Sequence, residues 1–102
     1  MEKLYMVVVR WTAQRPELLD SAFSPVGDWF RYNPNTWFVW TNIAARDLAD
    51  IVRSKLWSTD SVVVARVEPY DVVGTAPSQM WDWLKPKIER SGSLARYAAA
   101  LE

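Results

Sequence analysis

The order of apolar and polar side chains predicts alternating strands and helices. Residues 4–11 are β-branched and aromatic, which favours a first strand. A helix is predicted to begin at Pro16, because proline suits the first helical position, and to end at Ser24-Pro25. Residues 46–57 carry apolar side chains at helical spacing and predict a second helix, and the valine-rich residues 61–67 predict another core strand.

A β-hairpin is predicted between these two helices. Residues 27–33 and 36–42 are rich in aromatic and strand-forming side chains. Asn33-Pro34-Asn35 separates them, and this combination is typical of a tight turn. The order along the chain is therefore strand, helix, strand, strand, helix, strand.

This order indicates an α+β fold of the ferredoxin-like βαββαβ type. Right-handed crossovers would place both helices on one face of a four-stranded antiparallel sheet. A short fifth strand at residues 70–73 and a C-terminal helix from Ser78 through Leu84, limited by Pro86, would follow. We expect one domain over residues 1–90 and a flexible tail over 91–102, whose end, Ala98-Ala99-Ala100-Leu101-Glu102, resembles a vector-encoded junction.

The sheet face opposite the helices is the candidate functional surface. Side chains alternate across a strand, and an arginine is rarely buried unpaired beneath a helix. Three strands each contain an arginine, which is therefore predicted to lie on the open face. The residues that point to the same side of each strand as its arginine are predicted to lie there as well. The resulting candidate set is Met6, Val8, Arg10, Trp29, Arg31, Val62, Val64 and Arg66. In the third strand the pattern does not decide between Trp37/Val39 and Phe38/Trp40, because the turn leaves the register open.

The open face is consistent with two functions. An apolar open face is expected to be buried in a symmetric homodimer. Alternatively, it could bind nucleic acid, with bases stacked on aromatic rings and Arg10, Arg31 and Arg66 on phosphate. The chain of 102 residues has 12 basic and 12 acidic residues, so no overall positive field favours the nucleic-acid interpretation.

The composition narrows the possible chemistry. The chain contains no histidine and no cysteine, which excludes thiol chemistry and removes the usual general base and the commonest metal ligand. The carboxylates are scattered over positions typical of turns, caps and solvated helix faces, so no catalytic or metal-binding residue is assigned. The absence of cysteine suits a cytoplasmic location, which we expect. No apolar run approaches the about 20 residues of a membrane span, so no membrane contact is expected.

Five segments carry a family resemblance. They are Gly27-Asp28-Trp29, residues 36–42, the predicted helix that follows them, residues 60–64 and Trp81-Asp82-Trp83-Leu84. Together they resemble the small bacterial proteins labelled SinR-like, over residues 4–84. That family is similar in fold and size to the CRISPR-associated small adaptation nuclease and to the GhoS antitoxin endoribonuclease. The resemblance implies a ferredoxin-like subunit that dimerises through its sheet, with a fifth strand able to cross to the partner.

One departure from this pattern bears on activity. CRISPR-type relatives carry a Tyr-Asp pair at the end of the first strand, where this chain has Val9-Arg10-Trp11. Arginine cannot ligate Mg²⁺ and repels it. We therefore expect a homodimer without catalytic activity or cofactor that binds or regulates another protein. The alternative is an RNA- or DNA-binding protein, or an endoribonuclease dependent on Mg²⁺ or Mn²⁺, of the toxin–antitoxin or CRISPR-adaptation kind.

Overall fold

The computed structural model describes residues 1–90. The chain divides into two compact units, Met1–Arg66 and a second unit that begins at Val67. The elements up to the unit boundary are β1 (Lys3–Arg10), α1 (Pro16–Phe23), β2 (Asp28–Asn33), β3 (Thr36–Thr41), α2 (Ala45–Arg53) and β4 (Ser61–Val67). This succession of strands and helices confirms the α+β class and the predicted order of elements.

The four strands form one antiparallel sheet in the order β2-β3-β1-β4. Within it, Tyr5 lies opposite Val39 and Val7 lies opposite Trp37. These side chains form the buried core with residues of both helices, namely Leu19, Ala22, Phe23, Leu48 and Val52. Trp37 and Val39 therefore face the helices, which settles the open question about the third strand. We call this side of the sheet the helix-covered face and the other side the second face.

The second face is itself buried over part of its width. Leu4 pairs with Trp40 and Met6 pairs with Phe38. Because side chains alternate along a strand, these four point to the second face, opposite the core side chains. Leu4, Phe38 and Trp40 are nevertheless only 1%, 7% and 2% exposed. The sequence predicted an open face that would be bare in a single chain, and this expectation is wrong for the part contributed by β3.

The β2–β3 hairpin confirms the predicted turn. Its tip is Pro34-Asn35, and the Asn33 side-chain oxygen accepts a hydrogen bond from the Asn35 backbone N–H at 2.8 Å, as in an Asx-turn. At the other end of the hairpin, Gly27 lies directly before β2 and packs tightly against the backbone of β3. A Cβ atom at this position would lie 2.1 Å from the Trp40 carbonyl oxygen. Only glycine fits there.

Both helices of the first unit start close to the predicted residues. α1 begins at Pro16 and ends at Phe23, before Ser24-Pro25, as expected. α2 ends at Arg53 rather than at the predicted Trp57. The backbone N–H of Trp57 donates to Asp60 at 2.8 Å instead of to a helical carbonyl, so the last part of the predicted helix forms a turn.

The second unit corrects two predictions about the end of the chain. Residues Pro69–Asp71 form a 3₁₀ turn, and the described residues contain no fifth strand at 70–73. The Asp71 backbone N–H donates to the Glu68 carbonyl at 2.9 Å, so within the predicted strand this N–H is used by the turn rather than by a strand ladder. The last helix, α3, spans Ser78–Arg90 and continues through Pro86 beyond the predicted end at Leu84. Its buried residues, at helical spacing, are Met80, Leu84 and Lys87.

The predicted tail over residues 91–102 lies outside the described residues. The single domain predicted over residues 1–90 stays a prediction. Within residues 1–90, no helix has both the length and the apolar content needed to cross a bilayer.

Candidate functional site

The β1 members of the predicted surface lie on the second face. Met6, Val8 and Arg10 alternate with the core residues of β1 and so point away from α1 and α2. Met6 is half-buried, Val8 is 37% exposed and Arg10 is exposed. β1 therefore offers exposed apolar surface near its end.

The β2 members, Trp29 and Arg31, lie instead on the helix-covered face. Trp29 packs against the core, and its indole N–H donates to the Ser24 hydroxyl at the end of α1 at 3.1 Å. The Arg31 guanidinium is 3.6 Å from a carboxylate oxygen of Asp20 and 4.0 Å from one of Glu17. The placement of Arg31 on the open face was wrong because α1 supplies carboxylates that pair with it, which removes the cost of an unpaired charge.

The β4 members are also placed on the other side of the sheet. Val62 and Val64 pack against the core, and Arg66 shares their alternation, although it is exposed near the end of the strand. Val63 and Ala65 therefore belong to the second face. β4 carries valine on both of its faces, so the hydrophobic pattern does not show which face of the strand packs against the helices. Arg66 does not show it either, because an arginine near a strand end can reach water from either face.

The structure consequently does not bring the three predicted nucleic-acid contacts together. Arg10 lies on the second face, and Arg66 lies on the opposite side by alternation. Arg31 is near the carboxylates of α1. These three side chains do not form one basic patch.

Exposed and half-buried apolar side chains instead lie on the second face of β1 and β4, which are neighbours in the sheet. Val63 is 65% exposed and Val8 is 37% exposed on the second face. Met6 and Ala65 on the same face are half-buried. We call these four residues, Met6, Val8, Val63 and Ala65, the valine patch. The sequence-based prediction of this face did not include Val63 and Ala65, which only their alternation with the core side chains of β4 reveals.

A second cluster ties the loop after β1 to the loop before β4. The Asp60 side chain has no exposed surface and forms an ion pair with Arg15. Its carboxylate also accepts hydrogen bonds from the backbone N–H groups of Thr12 at 2.7 Å and Trp57 at 2.8 Å. Asp60 is one of the carboxylates that the sequence pattern places near element ends, where turns and caps favour aspartate, and its partner Arg15 is 45 residues away along the chain.

These contacts set the ionisation of Asp60. Burial by itself raises the pKa of this carboxyl, but the hydrogen bonds from the Thr12 and Trp57 backbone and from the Arg15 and Thr12 side chains lower it. The net effect lowers the pKa of Asp60 from 3.8 to about 2. Asp60 is therefore ionised at neutral pH and serves as the negative centre of this junction.

Two indole rings hold the guanidinium of Arg15. Its central carbon is 3.6 Å from the centroid of the Trp57 ring and 5.0 Å from that of Trp11, which are cation–π distances. The Trp11 indole N–H donates to the Pro34 carbonyl at 2.8 Å. With Asp60, these residues form a junction that fixes three loops at one end of the sheet.

A cleft of about 530 Å³ adjoins this junction. Its lining includes Trp57, which is 50% exposed, and Arg53, whose guanidinium is 2.5 Å from the Asp50 carboxylate. Asp60 also lines it, but its oxygens already have several donors. The cleft offers an aromatic ring and an arginine that already has an acidic partner. A smaller cavity of about 230 Å³ in the second unit is lined mainly by apolar side chains, including Tyr70, Val73 and Trp81.

Residues 1–90 contain no group of three or more acidic, histidine or cysteine side chains arranged to hold a metal ion. Comparison of the chain with protein-family models, with curated proteins and with solved structures found no match.

Proposed function

We propose that this chain is a SinR-like, ferredoxin-like module that acts as a homodimer in the cytoplasm and binds or regulates another protein without catalysing a reaction itself. The strand order β2-β3-β1-β4, with a helix after β1 and another after β3, supports the ferredoxin-like assignment. The position of Arg10 at the end of β1, where related nucleases carry an aspartate, supports a role without metal catalysis.

The valine patch carries the proposal of a dimer. Val63 is 65% exposed on a strand with two half-buried valines beside it, and exposed Val8 belongs to the neighbouring strand. Apolar area gains roughly 25 cal/mol per Å² when it leaves water. A second copy of the chain that contacts β4 would cover part of this patch, and zero net charge means that two copies do not repel each other through their overall field.

Light scattering after size exclusion tests the dimer. We expect the mass of two chains for the native protein and the mass of one chain for Val63→Glu, because the interface would place a carboxylate without a partner against apolar side chains of the second copy. Val73→Glu is the matched control, since Val73 is 84% exposed in the second unit and outside the sheet. Val73→Glu should retain the mass of two chains. A native protein with the mass of one chain at high micromolar concentration would contradict the proposal.

The nucleic-acid alternative has less support. Arg31, one of its three expected contacts, is near carboxylates of α1, and the other two lie on opposite sides of the sheet. Incubation of the protein with labelled RNA and Mg²⁺ or Mn²⁺ tests the nucleic-acid alternative against the protein-binding proposal. Cleavage that is lost in a carboxylate variant, or binding that weakens steeply with salt, would favour the alternative over a protein-binding module.

A further inference from the structure

We propose that β4 of one copy pairs antiparallel with β4 of a second copy, so that the two sheets become continuous. This inference rests on the proposed homodimer and names its interface. It differs from a packing of sheet faces, because here the backbone edges of the strands make the contact and the valine patches of the two copies become neighbours on one surface.

The outer edge of β4 has no partner within residues 1–90. β4 lies at one end of the sheet order, next to β1. No backbone hydrogen bond joins it to a loop or to another segment on its other side. An edge strand of seven residues presents unpaired N–H and C=O groups that can accept another strand.

β4 also lacks the features that protect natural edge strands. Its sequence, SVVVARV, contains no proline, lysine or acidic residue, and its only charge is Arg66 near the end. The opposite edge, β2, is different. It is shorter, begins with Asp28, has a register irregularity between Arg31 and Asn33, and is followed by Pro34. Of the two edges, β4 is the one suited to pairing.

Symmetry selects a register for this pairing. A two-fold axis perpendicular to the joined sheet keeps the helices of both copies on the same side. Residues that lie opposite each other in the two copies must then point to the same face of the joined sheet. This holds only if the residue at the axis lies opposite the same residue of the second copy. An axis at Val64 pairs all seven residues of the strand, whereas an axis at a neighbouring residue leaves two unpaired at an end of each strand.

This register is compatible with the side chains. Val63 lies opposite the partner's Ala65 on the second face, so the most exposed valine of the strand gains an apolar neighbour. Arg66 lies opposite the partner's Val62, so the two arginines do not oppose each other. Like charges directly opposite would destabilise the pair. A second copy therefore fits the edge in both shape and charge.

Site-specific disulfide formation tests the register. The chain contains no cysteine, so an introduced thiol has no competitor. We would prepare Val63→Cys and Ala65→Cys separately, mix them under reducing conditions and then oxidise. Opposed residues of an antiparallel pair lie about 5 Å apart, within disulfide range, whereas diagonal residues lie about 7–8 Å apart and outside it.

The mixture should yield about tenfold or more cross-linked dimer than either variant alone, because only mixed dimers oppose two thiols at high effective concentration. Peptide mass spectrometry should locate the disulfide between positions 63 and 65. Leu18→Cys, on the exposed surface of α1 (Leu18 is 42% exposed), measures random collisions.

The outcomes separate the two proposals. Preferential cross-linking in the mixture supports β4 pairing. A dimer by light scattering without preferential cross-linking overturns β4 pairing and leaves the homodimer in place. A single-chain mass for the native protein overturns both. Pairing of β4 with an extended peptide of another protein would appear as a single-chain mass together with binding of that peptide, and would also overturn the inference.

Discussion

At the residue scale, the Asp60 junction shows how one buried carboxylate can organise three loops. Arg15 pairs with Asp60 while its guanidinium lies over the rings of Trp11 and Trp57, and backbone N–H groups from two loops also donate to the carboxylate. A buried charge is tolerated when ion pairing and hydrogen bonds replace its hydration. The junction depends on the ionised form of Asp60, so its contribution to the free energy of unfolding depends on pH.

We expect Asp60→Asn to unfold at lower urea concentration than the native protein at pH 7. The folded-state pKa of Asp60, about 2, is below its ordinary value of 3.8. The stability from ionisation is therefore fully present above pH 3.8 and is lost as pH falls towards 2. Urea titrations between about pH 5 and 2 should show a weaker pH dependence for Asp60→Asn.

Asp50→Asn is the control for this prediction. The Asp50 side chain pairs with Arg53 on the helix surface, and both side chains are 60% exposed. Exposed pairs contribute little, so its urea midpoint at pH 7 should change little. If Asp50→Asn and Asp60→Asn behave alike, the buried junction does not have the role described above.

A second residue-scale prediction compares two buried tryptophans. The Trp37 indole N–H donates to the Asp20 carboxylate at 2.9 Å, whereas the Trp40 indole N–H has no partner among the described residues. Both side chains are nearly unexposed. Replacement by phenylalanine removes the same ring volume at each position, so the difference between the variants reports mainly on the hydrogen bond.

We expect Trp37→Phe to lower the free energy of unfolding by about 2 kcal/mol more than Trp40→Phe does, because only Trp37 loses a bond to a charged group. Urea denaturation followed by circular dichroism at 222 nm, a wavelength chosen to report on helix, measures both variants. Equal losses would show that the bond to Asp20 adds nothing to folding.

At the element scale, the sequence predicts most of the strands and helices because their signals are local. The turn at Asn33-Pro34-Asn35 and the start of α1 at Pro16 depend on neighbouring residues alone. The end of α2 could not be predicted in this way. The Trp57 N–H bonds to Asp60 instead of continuing the helix, and Asp60 is itself held by Arg15 from a distant loop.

The faces of the strands were harder to predict than the strands themselves. Arg31 was assigned to the open face because an arginine is rarely buried unpaired beneath a helix, yet Glu17 and Asp20 approach it from α1. Val62 and Val64 were misassigned because Arg66, which shares their alternation, was taken as the guide. In both cases the decisive contact is between elements distant in sequence, and alternation alone does not reveal it.

The same limit applies to the candidate site. Met6 and Val8 were correctly predicted on the second face, whereas Val63, the most exposed side chain of the valine patch, was not. A fifth strand was also predicted at residues 70–73, where the chain forms a 3₁₀ turn. Within the described residues no fifth strand lies beside β4 in the sheet, and the proposed pairing of two copies uses this edge.

At the scale of the whole molecule, balanced charge and an apolar edge favour association that does not depend on salt. The chain has equal numbers of basic and acidic residues, and β4 has one charge. Electrostatic screening weakens contacts between exposed charges, whereas apolar burial and backbone pairing are little affected by moderate salt. The proposed dimer and the nucleic-acid alternative therefore differ in their response to ionic strength.

We expect the dimer dissociation constant, measured by sedimentation equilibrium, to change less than about threefold between roughly 50 and 500 mM NaCl. The double variant Arg10→Ala, Arg66→Ala should behave like the native protein, because neither arginine opposes a charge in the proposed pairing. Nucleic-acid binding through phosphate contacts would weaken steeply over the same range and would be lost in that variant. A dimer that dissociates at high salt would instead be held by charges and would contradict an interface built on the valine-rich edge of β4.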